Sequence, residues 1–245
     1  MRTARATSLP EPAGDAVLIT RPQPGAGETA RRVAALGLRP VLAPVLEISS
    51  IAARLPAARD LQAVLVTSAN ALPALPPSYH RLQLLAVGDA TAAAARRAGF
   101  AEVHSAAGDV HVLVALTLAR CDPSGLPLLL AASRYRDADP TPGLRSRGFS
   151  VNRHIVYAAT PVAVLPEPAR AALADQALRS ALFFSSATAR AFVHLLRQAL
   201  PEDCVAGLEA LAISRPTEAA LAPLPWRRIR VASRPNQDEL LAPLQ

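Results

Sequence analysis

The side chains that could do chemistry in this chain are hydroxyls, an amide, arginines and one tyrosine. Ala63 to Leu72, AVLVTSANAL, places Thr67, Ser68 and Asn70 directly after an apolar run, and Ala181 to Phe192, ALFFSSATARAF, does the same with Ser185 and Ser186. Each stretch reads as strand, tight turn and helix N-terminus. Such a junction suits an anion, because the first backbone N–H groups of a helix have no partner inside it and nearby hydroxyls can cap them or hold a carboxylate. A serine or threonine opening a helix is most often a cap, so the weight rests on the recurrence of the whole pattern. Arg21, Arg134, Gly88 to Thr91, Ser214 to Thr217 and the Tyr157 region fall at the ends of other apolar runs, where open parallel sheets bind ligands. With no paired carboxylate and no Ser/His/Asp or Cys/His grouping, this set can hold a polyanion. It offers little to hydrolytic or redox chemistry.

Composition narrows the classes further. All 26 basic residues are arginine, against 19 acidic ones, for a net charge of +7. Guanidinium groups suit bidentate binding of carboxylates or phosphates, although an Ala-, Arg- and Pro-rich chain without lysine also looks like the product of a GC-rich genome. The arginines are spread along the chain with little aromatic interleaving, so nucleic-acid binding is not expected. A hydrophobic fraction of 51% excludes a largely disordered chain. Cys121 and Cys204 have no Cys or His at ligand spacing, which predicts free thiols in a reducing, cytoplasmic setting. The five histidines form no HxxxH or HExxH pattern, so neither metal nor cofactor is expected. No uninterrupted apolar run reaches membrane-spanning length. The opening MRTARATSLPEPAGD lacks the apolar core of a signal peptide, and residues 1–13 read as a frayed tail.

The elements that must position these groups alternate along the chain. Ala16 to Thr20 reads as a buried strand, Arg21 to Gly25 as a proline-bounded loop, and Gly27 to Leu36 as a helix stopped by Gly37. Gly25-Ala26-Gly27 lacks the third glycine of a dinucleotide fingerprint and the Gly-Lys-Ser/Thr of a P-loop. Pro40 to Ile48 reads as a second strand, whose internal proline suggests a sheet edge or a crossing between domains. The Ala63 strand and its helix follow, then Leu82 to Val87, a helix from Ala90 capped by Asp89, a strand at Ala101 to Ser105 and a helix at Val110 to Ala119. From Pro127 to Ser133 the pattern begins again. A charged loop, a short helix before Gly148, the strand Val151 to Thr160, the Ala181 strand with its helix, Leu208 to Ile213, Thr217 to Ala222, Ile229 to Ala232 and Gln237 to Leu244 come in the same order. Each half is strand-helix-strand followed by three strand-helix units. The expected fold is α/β: two similar domains with parallel sheets flanked by helices and a cleft between them.

In order and spacing these elements resemble the uroporphyrinogen-III synthase family. The resemblance runs from about Val17 to Leu244 and rests on VLITRP, PVLEI, LVTSANA, AVGDATAAA, the strand ending in Val156-Tyr157, FFSSATARAF and AISRPTEAAL. No single motif is specific; their succession is. The resemblance implies discontinuous domains, residues 14–46 with 161–245 and residues 47–160 inserted, joined by a two-stranded connector near Val45 to Ile48 and Ile155 to Thr160. Side-by-side halves would show the same periodicity.

The implied reaction is dehydration and cyclisation of hydroxymethylbilane to uroporphyrinogen III with inversion of ring D, in tetrapyrrole biosynthesis. The substrate carries eight carboxylates, and its azafulvene cation can close unaided to the wrong isomer. The protein's main task would be to hold the chain folded so that ring D attacks through its substituted carbon. By the same resemblance Tyr157 is the candidate general acid or water positioner. Thr67, Ser68, Asn70, Ser185, Ser186 and Thr217 are candidate carboxylate contacts, with Arg21 and Arg134 beside them. A monomer without a membrane partner is expected, with a transient contact to the preceding pathway enzyme. Two positions depart from the family pattern: Ile213-Ser214-Arg215-Pro216 stands where Ile-Gly-Pro is usual, and Ser133-Arg134-Tyr135 where an Arg-Gly pair is often seen. They keep open an alternative, a synthase-like domain that binds a tetrapyrrole or another polyanion, as a sensor or interaction module, without closing the ring.

Overall fold

The computed structural model describes residues 14–134 and 139–245. The N-terminal tail read from the sequence and the middle of the loop after Arg134 lie outside the described residues. In chain order the elements are β1 (Ala16–Ile19), α1 (Gly25–Ala35), β2 (Arg39–Leu42), β3 (Leu46–Ser50), β4 (Ala63–Val66), β5 (Gln83–Ala86), α2 (Asp89–Arg97), β6 (Glu102–Ser105) and α3 (Val110–Arg120). There follow β7 (Leu128–Ser133), α4 (Thr141–Arg145), β8 (Val151–Pro161), α5 (Glu167–Ala174), β9 (Leu178–Phe183), α6 (Ser186–Ala199), β10 (Glu209–Ala212), α7 (Arg215–Leu221), β11 (Arg228–Val231) and α8 (Gln237–Leu241). The chain divides into two compact units, one made of the part before Ile48 together with Pro161–Gln245, the other of Ile48–Thr160.

The first unit holds a five-stranded sheet in the order β11-β10-β9-β1-β2, parallel at every pairing. β1 and β10 are buried along their whole length; β1 accordingly reads as an unbroken apolar run, and the one charge in β10, Glu209, is paired with Arg230. Alternation sends Val17, Ile19, Leu182 and Leu211 to one face, where they pack with Ala26 and Val33 of α1 and Leu240 and Leu241 of α8. Phe183 points the other way. Its ring meets Phe192 of α6 at 5.3 Å and Trp226 at 5.7 Å, both edge-on, and Phe192 stacks on Trp226 at 6.0 Å.

The second unit holds a six-stranded sheet in the order β3-β8-β7-β4-β5-β6. From β8 to β6 the pairings are parallel. β3 runs antiparallel to β8: Val162 N–H donates to the Val45 carbonyl and Ile51 N–H to the Val156 carbonyl, so the partners advance in opposite senses. Val64, Val66, Leu84, Leu129 and Ala131 pack with Tyr79, Ala92 and Phe100 on one face. Leu65, Leu85, Leu128 and Leu130 pack with Leu113 and Leu144 on the other.

Four local readings of the sequence change. Pro40 to Ile48 is two strands, not one: Ala43 to Val45 interrupt it, leaving β2 at the edge of one sheet and β3 at the edge of the other. The segment after β4 is a 3-10 helix, Ala69–Ala74, because Pro73 within it has no N–H for a continuing α-helix. Asp89 lies in the first turn of α2 and Gly88 holds the cap position without a side-chain bond. The helix α5, opened by Pro168 near its start, has no counterpart in the sequence reading; its Ala-rich stretch was the available signal.

The aromatic cluster gives a direct stability test. Phe192→Ala is expected to destabilise the first unit by about 3–5 kcal/mol, measured by urea unfolding followed through the fluorescence of Trp226, the chain's one tryptophan.

Candidate functional site

In the second unit the hydroxyl cluster sits where β4 ends. Ser68 is extended, with φ −154° and ψ 142°, and its Oγ accepts from Asn70 N–H at 3.3 Å. It is a cap. Thr67 and the Asn70 side chain are half-buried and make no side-chain hydrogen bond among the described residues, so their donors remain available. One strand over, Gly88 is extended at φ −152°, and a Cβ there would meet nothing within 4 Å. The side facing away from its backbone is open space.

The first unit repeats this arrangement. At the end of β9, Ser185 is extended (φ −165°); its Oγ accepts from Thr188 N–H at 3.1 Å and lies 2.8 Å from Thr188 Oγ1. Ser186 is half-buried with no such partner. At the end of β10, Ser214 Oγ and Thr217 Oγ1 bond to each other at 3.1 Å, and Thr217 is wholly buried. Of the residues the sequence singled out, Ser68, Ser185 and Thr217 are thus engaged in the fold. Thr67, Asn70 and Ser186 are left with capacity for a ligand.

Arg21 leaves β1 and turns onto its own loop. Its guanidinium lies over the Phe184 ring, 4.1 Å from the centroid, with Nη1 donating to Thr29 Oγ1 and Gln237 Oε1, both at 3.4 Å. A Cβ on Gly25 would come within 2.3 Å of it, so glycine there leaves the room the guanidinium occupies. Burial lowers the Arg21 pKa, opposed by the charge of Glu28. No carboxylate reaches ion-pair distance of Arg21 among the described residues. A cation with long neutral bonds and a ring face beneath it gains from an anion. Gln237 belongs to this group and was missed in the sequence, where it read only as the start of the last helix. Arg134 is exposed; its backbone N–H donates to the Tyr157 carbonyl at 2.9 Å.

Tyr157 lies on β8, and a bulge decides where it points. Ala132 is in register with Ile155 but Ser133 with Tyr157, so Val156 is the extra residue. Without it Tyr157 would share the face of Arg153 and Ile155. With it, Val156 and Tyr157 both enter the cluster of Val66, Ala71, Leu129 and Ala131, and Tyr157 is only 6% exposed. The ring is therefore a packed residue on the side of the sheet where the 3-10 helix Ala69–Ala74, opened by Ser68, also packs.

Of the two departures from the family pattern, the one at Ser214-Arg215 has a simple structural account, while Tyr135 of the other lies outside the described residues. Ser214 is extended at φ −161° and ψ 164°, a conformation open to any residue, so glycine is not required there. Arg215 is ion-paired with Glu218 in the same turn at 2.8 Å, which offsets its charge locally. Burial raises the thiol pKa values of Cys121 and Cys204 to about 11, so neither is a thiolate nucleophile at neutral pH. Among the described residues no group of three or more His, Cys, Asp or Glu could hold a metal, and no helix is long and apolar enough to cross a membrane.

The comparisons with known proteins bear on this geometry. The model of the family uroporphyrinogen-III synthase HemD matches residues 27–242. The chain belongs to the uroporphyrinogen-III synthase family. It is accordingly an enzyme of tetrapyrrole biosynthesis, closing hydroxymethylbilane to uroporphyrinogen III. Among solved structures, the uroporphyrinogen-III synthetase of Helicobacter pylori 26695 matches with TM-score 0.61 at 16% identity, covering 94% of this chain and 98% of that one; it shares the fold. A mutant uroporphyrinogen III synthase of the extremely thermophilic bacterium Thermus thermophilus matches at TM-score 0.49 and 18% identity, covering 94% and 96%. No curated protein sequence matches significantly.

The division between engaged and available hydroxyls can be measured in this synthase. Ser185→Ala is expected to lose about 1 kcal/mol of stability through its cap, whereas Ser186→Ala stays within about 0.5 kcal/mol and instead raises KM for hydroxymethylbilane. Urea midpoints and steady-state kinetics on the two variants check both halves.

Proposed function

We propose that this synthase closes its substrate chiefly by positioning, with Thr67, Asn70, Ser186, Arg21 and Arg134 contacting the carboxylates and Tyr157 beside the leaving hydroxyl. One observation carries this reading: at the strand ends, the candidate groups with capacity left are neutral donors and arginines. These bind carboxylates without supplying a strong base or nucleophile. Ser68, Ser185 and Thr217 act through the turns they shape, presenting backbone N–H groups to the same anions. Loss of the terminal hydroxyl yields a reactive cation that needs little further activation. Selectivity then depends on which carbon of ring D is held near it, a matter of geometry worth several powers of ten in rate.

The two units are, in this reading, the family's two domains, with the antiparallel β3–β8 pair as connector. The thiols of Cys121 and Cys204, free and protonated, accord with cytoplasmic work. A monomer taking hydroxymethylbilane in transient contact with the preceding enzyme would limit spontaneous closure. Tyr157 serves as general acid or water positioner through its hydroxyl. The bulge at Val156 supports this reading, because it turns the ring to the face on which the 3-10 helix after Ser68 packs.

The test is incubation of the purified chain with freshly generated hydroxymethylbilane, followed by oxidation and separation of the uroporphyrin isomers. Isomer III is expected to dominate; isomer I alone from folded protein refutes the positioning scheme. Tyr157→Phe is expected to lower kcat about a hundredfold with KM changed little, and an unchanged kcat leaves the ring a packing residue. Gly25→Ala is expected to displace the Arg21 guanidinium, leave the fold intact and raise KM as Arg21→Met does.

A further inference from the structure

A cavity of about 390 Å³ lies in the second unit beside α4, lined by Asp139, Thr141, Pro142, Arg145 and Arg153. None of these residues belongs to the strand-end set, and three features make the cavity a built polar site. Thr141 is 6% exposed, and its buried Oγ1 has no hydrogen-bond partner. The Arg153 side chain is 14% exposed. Its Nη2 donates to the Ser133 carbonyl at 2.9 Å, while Nε lies 3.3 Å from Asp139 Oδ2 with its N–H not aimed at that oxygen and is left without a hydrogen bond. Arg145 is held by one bond, Nη2 to the Val151 carbonyl at 3.0 Å. A buried hydroxyl and a buried guanidinium N–H without protein acceptors are each destabilising, and both are satisfied by one acceptor group placed among them.

Charge selects the acceptor. Among the described residues, two guanidinium groups and one carboxylate leave the lining with one net positive charge. Asp139 is already turned toward the start of α4, its Oδ1 accepting from Thr141 N–H at 2.9 Å. A singly charged carboxylate neutralises the remainder, whereas a phosphate dianion would overshoot it beside Asp139. We infer that this cavity binds one carboxylate group, accepting hydrogen bonds from Thr141 Oγ1 and Arg153 Nε with Arg145 completing the charge. Arg153 reaches the carbonyl at the C-terminal end of β7, the strand that pairs with β4, while Arg145 bonds the Val151 carbonyl where β8 begins, so the cavity runs along the α4 face of the sheet and its Arg153 side reaches the strand end that carries Thr67 and Asn70. That position makes an acetate or propionate arm of the tetrapyrrole the natural occupant. This last step rests on the synthase reading.

The test uses the whole 245-residue chain labelled with nitrogen-15. Sodium acetate is titrated against sodium chloride at matched ionic strength, following the Arg153 Nε–H resonance assigned by its loss in Arg153→Lys. A saturable acetate-specific shift is expected, weakened at least tenfold in Thr141→Val, a near-isosteric change that keeps the fold. In parallel, Thr141→Val is expected to raise KM for hydroxymethylbilane several-fold, with kcat and the isomer III fraction unchanged. Acetate binding together with the KM rise supports the site and assigns it to the substrate. Acetate binding with unaltered KM supports the site and assigns it to a free carboxylate. No acetate response, or one equal in Thr141→Val, overturns the inference, and any KM change is then structural. An inactive wild-type protein speaks against the synthase scheme alone, because the acetate titration still decides the cavity.

Discussion

Four strands, β4, β5, β9 and β10, hand over to a helical turn through one residue held nearly fully extended: Ser68, Gly88, Ser185 and Ser214 have φ between −152° and −165°. This handover is the constraint on which the rest depends. An extended residue between a buried strand and a helix turns the first helical N–H groups outward at the strand's C-terminal end. Those groups must be capped or bound. Ser68 and Ser185 cap with their own oxygens, while Gly88 and Ser214 supply no side-chain cap to the backbone. The same turn thus yields both the stabilising bonds of the fold and the donors offered to a polyanion, and the identity of one residue decides the proportion.

The repeating handover is also what made the fold legible. Strands buried on both faces leave unbroken apolar runs such as AVLV and ALFF, and the hydroxyls behind them marked the turns. What periodicity could not show is which sheet each strand joins, because β1 and β2 beside β9 read the same as β1 and β2 beside β4. Pro73 was visible, yet its consequence, a 3-10 turn in place of an α-helix, depends on the short run between it and Ser68. The site residues were legible as types and only half legible as roles. Nothing in the sequence distinguishes Ser185, bonded to Thr188, from Ser186 next to it, because the difference is one of direction around the first helical turn. The cavity residues Thr141 and Arg153 carried no motif; they become a group only when β8 lies beside β7.

The arginine excess divides along the same line. Arg39, Arg170, Arg197 and Arg215 form surface pairs with Asp15, Glu167, Glu202 and Glu218, each contributing about 0–1 kcal/mol. Such pairs do not explain why the chain carries so many guanidinium groups. Arg21 differs, held by a ring face and two long neutral bonds. Arg153 differs too, buried with a partner that only partly meets it. Cations placed this way are conditional on an anion, Arg21 at the end of β1 and Arg153 within the cavity beside α4.

Ser133 shows how closely these parts are joined. Its carbonyl accepts from Arg153 on one face of the sheet, while its register partner Tyr157 turns to the other. The extra residue Val156 is what separates them: a regular β8 would put Tyr157 on the face of Arg153, the α4 side. A single-residue bulge therefore sends the two side chains to opposite faces of one strand. Removing it would reverse every side chain beyond, turning Ala158 to the face that the tyrosine now occupies.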